Sequence, residues 1–140
     1  MEQTFQEIRI VLQDYFDGWH EADAGKLSRV FHPACHLFCV INGALDDDDM
    51  EKVYASVRGR QSPASRGEAR VDKILAIDVA GPQTALAKVQ LAIGPKLFTD
   101  NLSLLKLNGR WQIISKTFSF EPLPNPPSRQ VGREPVGGAP

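Results

Sequence analysis

Phe98-Thr99-Asp100-Asn101-Leu102-Ser103-Leu104-Leu105-Lys106-Leu107-Asn108-Gly109-Arg110-Trp111 is the most informative stretch of this chain. Asn108-Gly109 between apolar-rich runs signals a two-residue type I′ hairpin, because both central residues need positive φ and Asn and Gly tolerate it best. The turn predicts the register: Leu107 faces Arg110, and counting outward sets Leu104 opposite Ile113, Leu102 opposite Ser115, Asp100 opposite Thr117 and Phe98 opposite Ser119. These pairs share one face of a regular ladder. Phe98, Leu102, Leu104 and Ile113 make that face apolar, and Asp100 lies in its middle. A carboxylate there needs a partner, a proton or water from a cavity. A β-bulge would turn Asp100 outward. The opposite face carries Asn101, Leu105, Ile114, Lys116 and Phe118, a mixed exposed patch suited to a second copy of the chain.

Upstream, the hydrophobic period is also two. Val71, Leu75, Ile77 and Val79 share one face of a strand from Ala69, Gly81-Pro82 turns the chain, and Ala85, Ala87, Val89, Leu91 and Ile93 follow before Gly94-Pro95. Nearer the N-terminus the period becomes helical. Thr4 with Glu7 reads as a capping box, and Phe5, Ile8, Leu12, Tyr15, Phe16 and Trp19 form one apolar stripe ending near Gly18 or His20. Asp23 caps a short second helix with Leu27, Val30 and Phe31 on its inner face, and Pro33 stops it. A strand near His36 to Ile41 ends at the Asn42-Gly43 turn. A third helix is expected to begin inside Asp46-Asp47-Asp48-Asp49, where carboxylates meet the positive end of the dipole, and to end near Gly59. Helices first and strands afterwards predict an α+β fold with the helices on one face of an antiparallel sheet.

At 140 residues, with 42% hydrophobic and 24% charged residues, the chain suits one domain over residues 1–120. The stretch 121–140 holds six of the ten prolines and little to bury, which predicts a disordered tail. No apolar run reaches the roughly 20 residues of a membrane span, and Met1-Glu2-Gln3-Thr4 lacks the basic flank of a secretory signal, so cytoplasmic residence is expected. Net charge is −1, and the cluster Arg58, Arg60, Arg66, Arg70 and Lys73 is too isolated to mark a nucleic-acid surface. Cys35 and Cys39 are the only cysteines. Four apart on a strand they lie about 13 Å from one another, too far for one metal or a disulfide. Neither a glycine-rich phosphate loop nor a helical pair of metal-binding histidines is present, so no metal and no cofactor are expected.

The run Val11-Leu12-Gln13-Asp14-Tyr15, then Asp23, Leu27 and Phe31-His32-Pro33, with the ending Phe98 to Trp111, resembles the NTF2-like superfamily. Within it, the chain is most similar to the bacterial group labelled putative lumazine-binding, near the SnoaL-like polyketide cyclases. The resemblance covers about Phe5 to Phe120 and implies a cone-shaped, cystatin-like fold with helices on a strongly curved sheet. It also implies a homodimer.

Against the ketosteroid isomerases of that superfamily, Tyr15 and Asp100 match the oxyanion-hole tyrosine and aspartic acid, while Cys39 stands where the general base, an Asp, would be. There the aspartic acid is held neutral by an apolar site so that it can donate a hydrogen bond. The implied pocket is lined by Tyr15, Trp19, Cys39, Tyr54 and Asp100, with Tyr15 and Asp100 as the candidate catalytic pair. With the base missing, a small-molecule-binding domain for an aromatic or carbonyl-bearing ligand is the first expectation. An isomerase, dehydratase or cyclase that stabilises an enolate is the second, with a base from Cys39, His32 or water, and a structural dimer is the third. His32 and His36 are weaker candidates, placed for capping or solvent contact.

Overall fold

The computed structural model describes residues 1–123. The expected disordered tail therefore lies outside the described residues from position 124 onward, while Glu121 and Pro122 belong to the last strand. Among these residues three helices, α1 (Glu2–Glu21), α2 (Ala24–Val30) and α3 (Met50–Arg58), accompany six strands: β1 (Phe31–Ile41), β2 (Ala44–Asp49), β3 (Asp72–Val79), β4 (Thr84–Ile93), β5 (Lys96–Leu107) and β6 (Arg110–Pro122). The strands form one curved, unclosed sheet in the order β2-β1-β6-β5-β4-β3. It is not wholly antiparallel as expected, because β1 runs parallel to β6.

The α1 stripe predicted from spacing is the buried one: Ile8, Leu12 and Tyr15 are fully enclosed, and Phe16 and Trp19 nearly so. They meet Ala87, Val89, Leu102, Leu104 and Ile113 from the sheet. Each large apolar side chain moved from water into this layer contributes roughly 1.5–3 kcal/mol. Gly18 lets α2 approach closely, since a Cβ there would sit 2.6 Å from Leu27 Cδ2.

Four local expectations change. Thr4 caps nothing: α1 starts at Glu2 with Met1 as N-cap and no side-chain cap bond. Phe31 leaves α2 as its C-cap and opens β1, where it is 1% exposed and still part of the core. The acidic run does not start α3. Asp46 to Asp49 form most of β2, paired with β1, and only Asp49 caps α3, accepting from Lys52 N at 2.9 Å. In β3 a register shift between Ile74 and Ala76 turns Leu75 to solvent at 41% exposure, so it leaves the face shared by Ile77 and Val79.

The hairpin carries the most consequential change. Asn108 and Gly109 have φ of 50° and 79°, as a type I′ turn demands, and Leu104 pairs with Ile113 as predicted. A bulge at Ile114 then shifts the ladder by one residue, so Ser103 meets Ser115, Leu102 meets Lys116, and Asp100 meets Phe118 rather than Thr117. The extra residue is on β6, not β5. Asp100 therefore stays inward, and Lys116 and Phe118 are turned in beside it. Lys116 is 4% exposed, the reverse of its expected position on the outer face.

Candidate functional site

Three elements converge on the helix-covered face of the sheet. Helix α1 delivers Tyr15 and Trp19, β5 delivers Asp100, and β6 delivers Lys116. The Tyr15 hydroxyl donates to Asp100 Oδ2 at 2.5 Å, and Lys116 Nζ stands 3.3 Å from the same oxygen. Tyr15 and Asp100, separated by 85 positions in sequence, therefore meet as expected. Asp100 therefore accepts at Oδ2 from the Tyr15 hydroxyl, with the Lys116 amine beside the same oxygen. Among the described residues Asp100 Oδ1 is buried without a hydrogen-bond partner, and the Trp19 indole Nε1 likewise completes none.

Lys116 also faces aromatic rings, with Nζ 4.7 Å from the Trp19 ring centre, 4.9 Å from Phe118 and 5.4 Å from Tyr15. Burial pulls its pKa below the ordinary lysine value, and Asp100 opposes that shift without cancelling it. Burial, and secondarily Asp100, push the Tyr15 phenol well above its usual value, so it stays a donor. Phenol, carboxylate and amine thus share one buried site.

A cavity of about 130 Å³ opens onto this cluster, lined among others by Trp19, Asp100, Lys116, Phe118, Arg60 and Asp48. Arg60 follows α3, and its guanidinium lies 5.9 Å from the Trp19 ring centre. Of the five predicted ligand residues, Trp19 and Asp100 line the cavity, and Tyr15 stands behind Asp100 as its hydrogen-bond donor. Cys39 and Tyr54 are not among its lining residues.

Cys39 Sγ lies 3.9 Å from Asp46 Oδ2, and its pKa is raised by burial and then by Asp46, which disfavours the thiolate that a base would need. Tyr54, half-buried, has its pKa pushed up to about 12 by burial. His32 accepts from Ala34 N at 3.0 Å, and His36 pairs with Asp47 at 2.7 Å on the outer side, as their capping and solvent-facing positions suggested. Among the described residues no group of three or more His, Cys, Asp or Glu is placed to hold a metal ion, and no helix is long and apolar enough to cross a membrane.

Lys116 and Phe118 were missed by the ungapped register, although the sequence carried a signal. Trp111 and Ile113 are inward at odd positions, whereas Phe118 is inward at an even one, with Ser115, Thr117 and Ser119 between and beyond. A change of parity within one strand requires an extra residue.

A family model described as "Putative lumazine-binding" matches residues 3–119. The chain is 24% identical over 110 residues to a protein named aldolase FrzH from a Cladobotryum species, covering 77% of this chain and 84% of that one. An NTF2-like protein of unknown function from Shewanella baltica superposes with a TM-score of 0.78 at 25% identity, over 86% of this chain and 95% of that chain. An NTF2-like protein of unknown function from Silicibacter pomeroyi gives 0.77 at 18% identity, over 86% and 98%. A ketosteroid isomerase-like protein from Erwinia carotovora atroseptica gives 0.63 at 11% identity, over 82% and 94%. The fold is NTF2-like.

Proposed function

The chain belongs to the family described as "Putative lumazine-binding", and on that premise we propose that it binds a small aromatic or carbonyl-bearing molecule in the cavity above Asp100. The observation that carries this reading is the pair of polar atoms without a partner among the described residues, Asp100 Oδ1 and Trp19 Nε1, on residues lining an otherwise largely apolar space. A buried polar atom without a partner costs about 1–3 kcal/mol, and a ligand with a suitable donor or acceptor would recover that. Size supports a modest ligand: a cavity of roughly 150 Å³ accommodates benzene, so about 130 Å³ takes one ring or the carbonyl end of a longer molecule.

The test is a thermal-shift screen of single-ring aromatics, small ketones, pteridines and flavins, run beside Asp100→Asn and Trp19→Phe. A ligand at 100 times its Kd stabilises the wild type by about 2.7 kcal/mol, which raises Tm by several degrees. The expected result is such a rise with one class, diminished in both variants. A flat screen across all classes rejects the reading.

An enzymatic role of the isomerase, dehydratase or cyclase type is the second reading. It is favoured by the buried amine of Lys116 and by likeness to an aldolase-named protein, and disfavoured by the loss of a base at Cys39. Homodimerisation through the outer sheet face belongs to the same proposal, with exposed Val40, Leu45 and Leu86 as its apolar contacts in place of Phe118. Cytoplasmic residence is proposed too, since Cys35 and Cys39 are free thiols.

A further inference from the structure

We propose that Lys116 is a nucleophile that forms a carbinolamine and then a Schiff base with a ketone or aldehyde held in the cavity, using Asp100 as its proton relay. The inference deepens the preceding reading and rests on it, since the carbonyl compound must first occupy that cavity. Its basis is placement. A lysine 4% exposed has its amine 3.3 Å from a carboxylate, beside the Trp19 and Phe118 rings and at the wall of a cavity. A structural ion pair alone gives no reason for a cavity at its amine, because burying such a pair is often no better than packing apolar side chains there. Lysine, unlike arginine, readily loses its proton when buried, and a desolvated amine is the usual form of a Schiff-base lysine.

The step balances without an outside reagent. Asp100 takes one proton from the ammonium, and the freed lone pair on Nζ attacks the carbonyl carbon as the C=O π pair moves to oxygen. A second Nζ proton and the one returned by Asp100 end on that oxygen, which leaves as water. One proton remains on the iminium nitrogen, and Asp100 is again a carboxylate. Tyr15, donating to Asp100 Oδ2, holds the carboxylate toward the amine and is a positioning residue here.

The charged and titratable groups around Nζ come from every packed element: Tyr15 on α1, Cys35 and Cys39 on β1, Asp48 on β2, Arg60 after α3 and Asp100 on β5. Asp100 favours the ammonium, while burial and Arg60 favour the free amine, with burial the largest influence. Adduct formation is therefore expected to rise with pH and to reach its half-point below the ordinary lysine value of 10.5.

The probe is acetylacetone, whose iminium loses a carbon-bound proton to give a stable conjugated enaminone without any reductant. The full chain is incubated with it at several pH values, followed in the near ultraviolet, weighed intact and mapped by peptide mass. The expected result is one adduct per chain, the mass of acetylacetone less one water, located at Lys116. Lys116→Arg, which keeps a cation beside Asp100 and so the fold, should lose the adduct. A double variant, Lys116→Met with Asp100→Asn, removes both charges and guards against misfolding of the single change. Two results would overturn the inference. Adducts confined to exposed lysines, while acetylacetone still raises the wild-type Tm, would remove the nucleophile and leave the cavity as a binding site. Neither an adduct nor a Tm rise with acetylacetone or any compound of the screen would remove both.

Discussion

Lys116, Tyr15 and Cys35 show how burial sets protonation in this protein, and burial shifts the amine one way and the thiol and phenols the other. The Cys35 thiol is pushed up from 9.0 to about 12 and the Tyr54 phenol from 10.0 to about 12, both chiefly by burial, and Tyr15 is raised as well. A group raised on folding gives stability that is complete below its unfolded value and is lost as pH climbs through its folded value. Cys35 therefore begins to withdraw stability near pH 9, and Tyr54 and Tyr15 near pH 10. Lys116 works in the opposite direction, because its lowered pKa penalises the folded ammonium and the penalty fades as pH rises toward 10.5. Cys35 and Tyr54, each raised to about 12, carry the larger change above pH 9, so Tm should fall by several degrees between about pH 9 and pH 11. Cys35→Ala should flatten the first part of that fall. Calorimetry across pH 7 to 11 checks it, and equal slopes for both proteins would refute the role of the thiol. Tyr15 and Asp100 were legible in the sequence because a helical stripe and a strand face fix their side independently. Lys116 was not, since its side depends on a single bulged residue.

A periodic pattern and flanking turn signals agree in β4 and at the Asn108-Gly109 hairpin, and both form where they point, whereas composition alone points elsewhere than the structure. The run Asp46 to Asp49 suits a helix start by charge, yet Asp46 and Asp47 pair with Cys39 and Phe38 on the neighbouring strand. That tertiary partner was invisible locally. Glu7, whose spacing from Thr4 suits a capping box, instead accepts from Trp111 Nε1 at 3.2 Å and Lys106 Nζ at 3.3 Å, tying α1 to the hairpin. The two caps make opposite predictions. Asp49→Ala removes the acceptor for Lys52 N and should cost about 1 kcal/mol, while Thr4→Ala should change stability by less than about 0.5 kcal/mol. Urea denaturation of the two variants separates them, and an equal loss for Thr4→Ala would restore the capping box.

At the scale of the whole molecule, helices cover one face of the sheet, and no element among the described residues covers the other. The bulge that turns Lys116 and Phe118 inward also sets Ser115, Thr117 and Ser119 outward, beside Asn101 and Ser103 on β5. The middle of the outer face is therefore polar. Apolar exposure is displaced to Val40 and Leu45 on one side, 72% and 69% exposed, and Leu86 on the other, 47% exposed. Six strands about 4.8 Å apart give enough width for a standard contact of roughly 800 Å² per partner. Such a contact, with hydroxyls at its centre, would be wet and of moderate affinity, unlike an obligate dimer with an apolar middle. Sedimentation velocity should accordingly show a concentration-dependent shift from one chain to two between about 1 and 100 μM, the range that separates moderate from tight association. Val40→Lys with Leu86→Lys adds charge to both apolar margins and should move the shift to higher concentration without lowering Tm under dilute conditions, since neither side chain is in the core. A single-chain mass for the unaltered protein at 100 μM would exclude the outer face as an interface between copies and leave each cavity the property of an isolated chain.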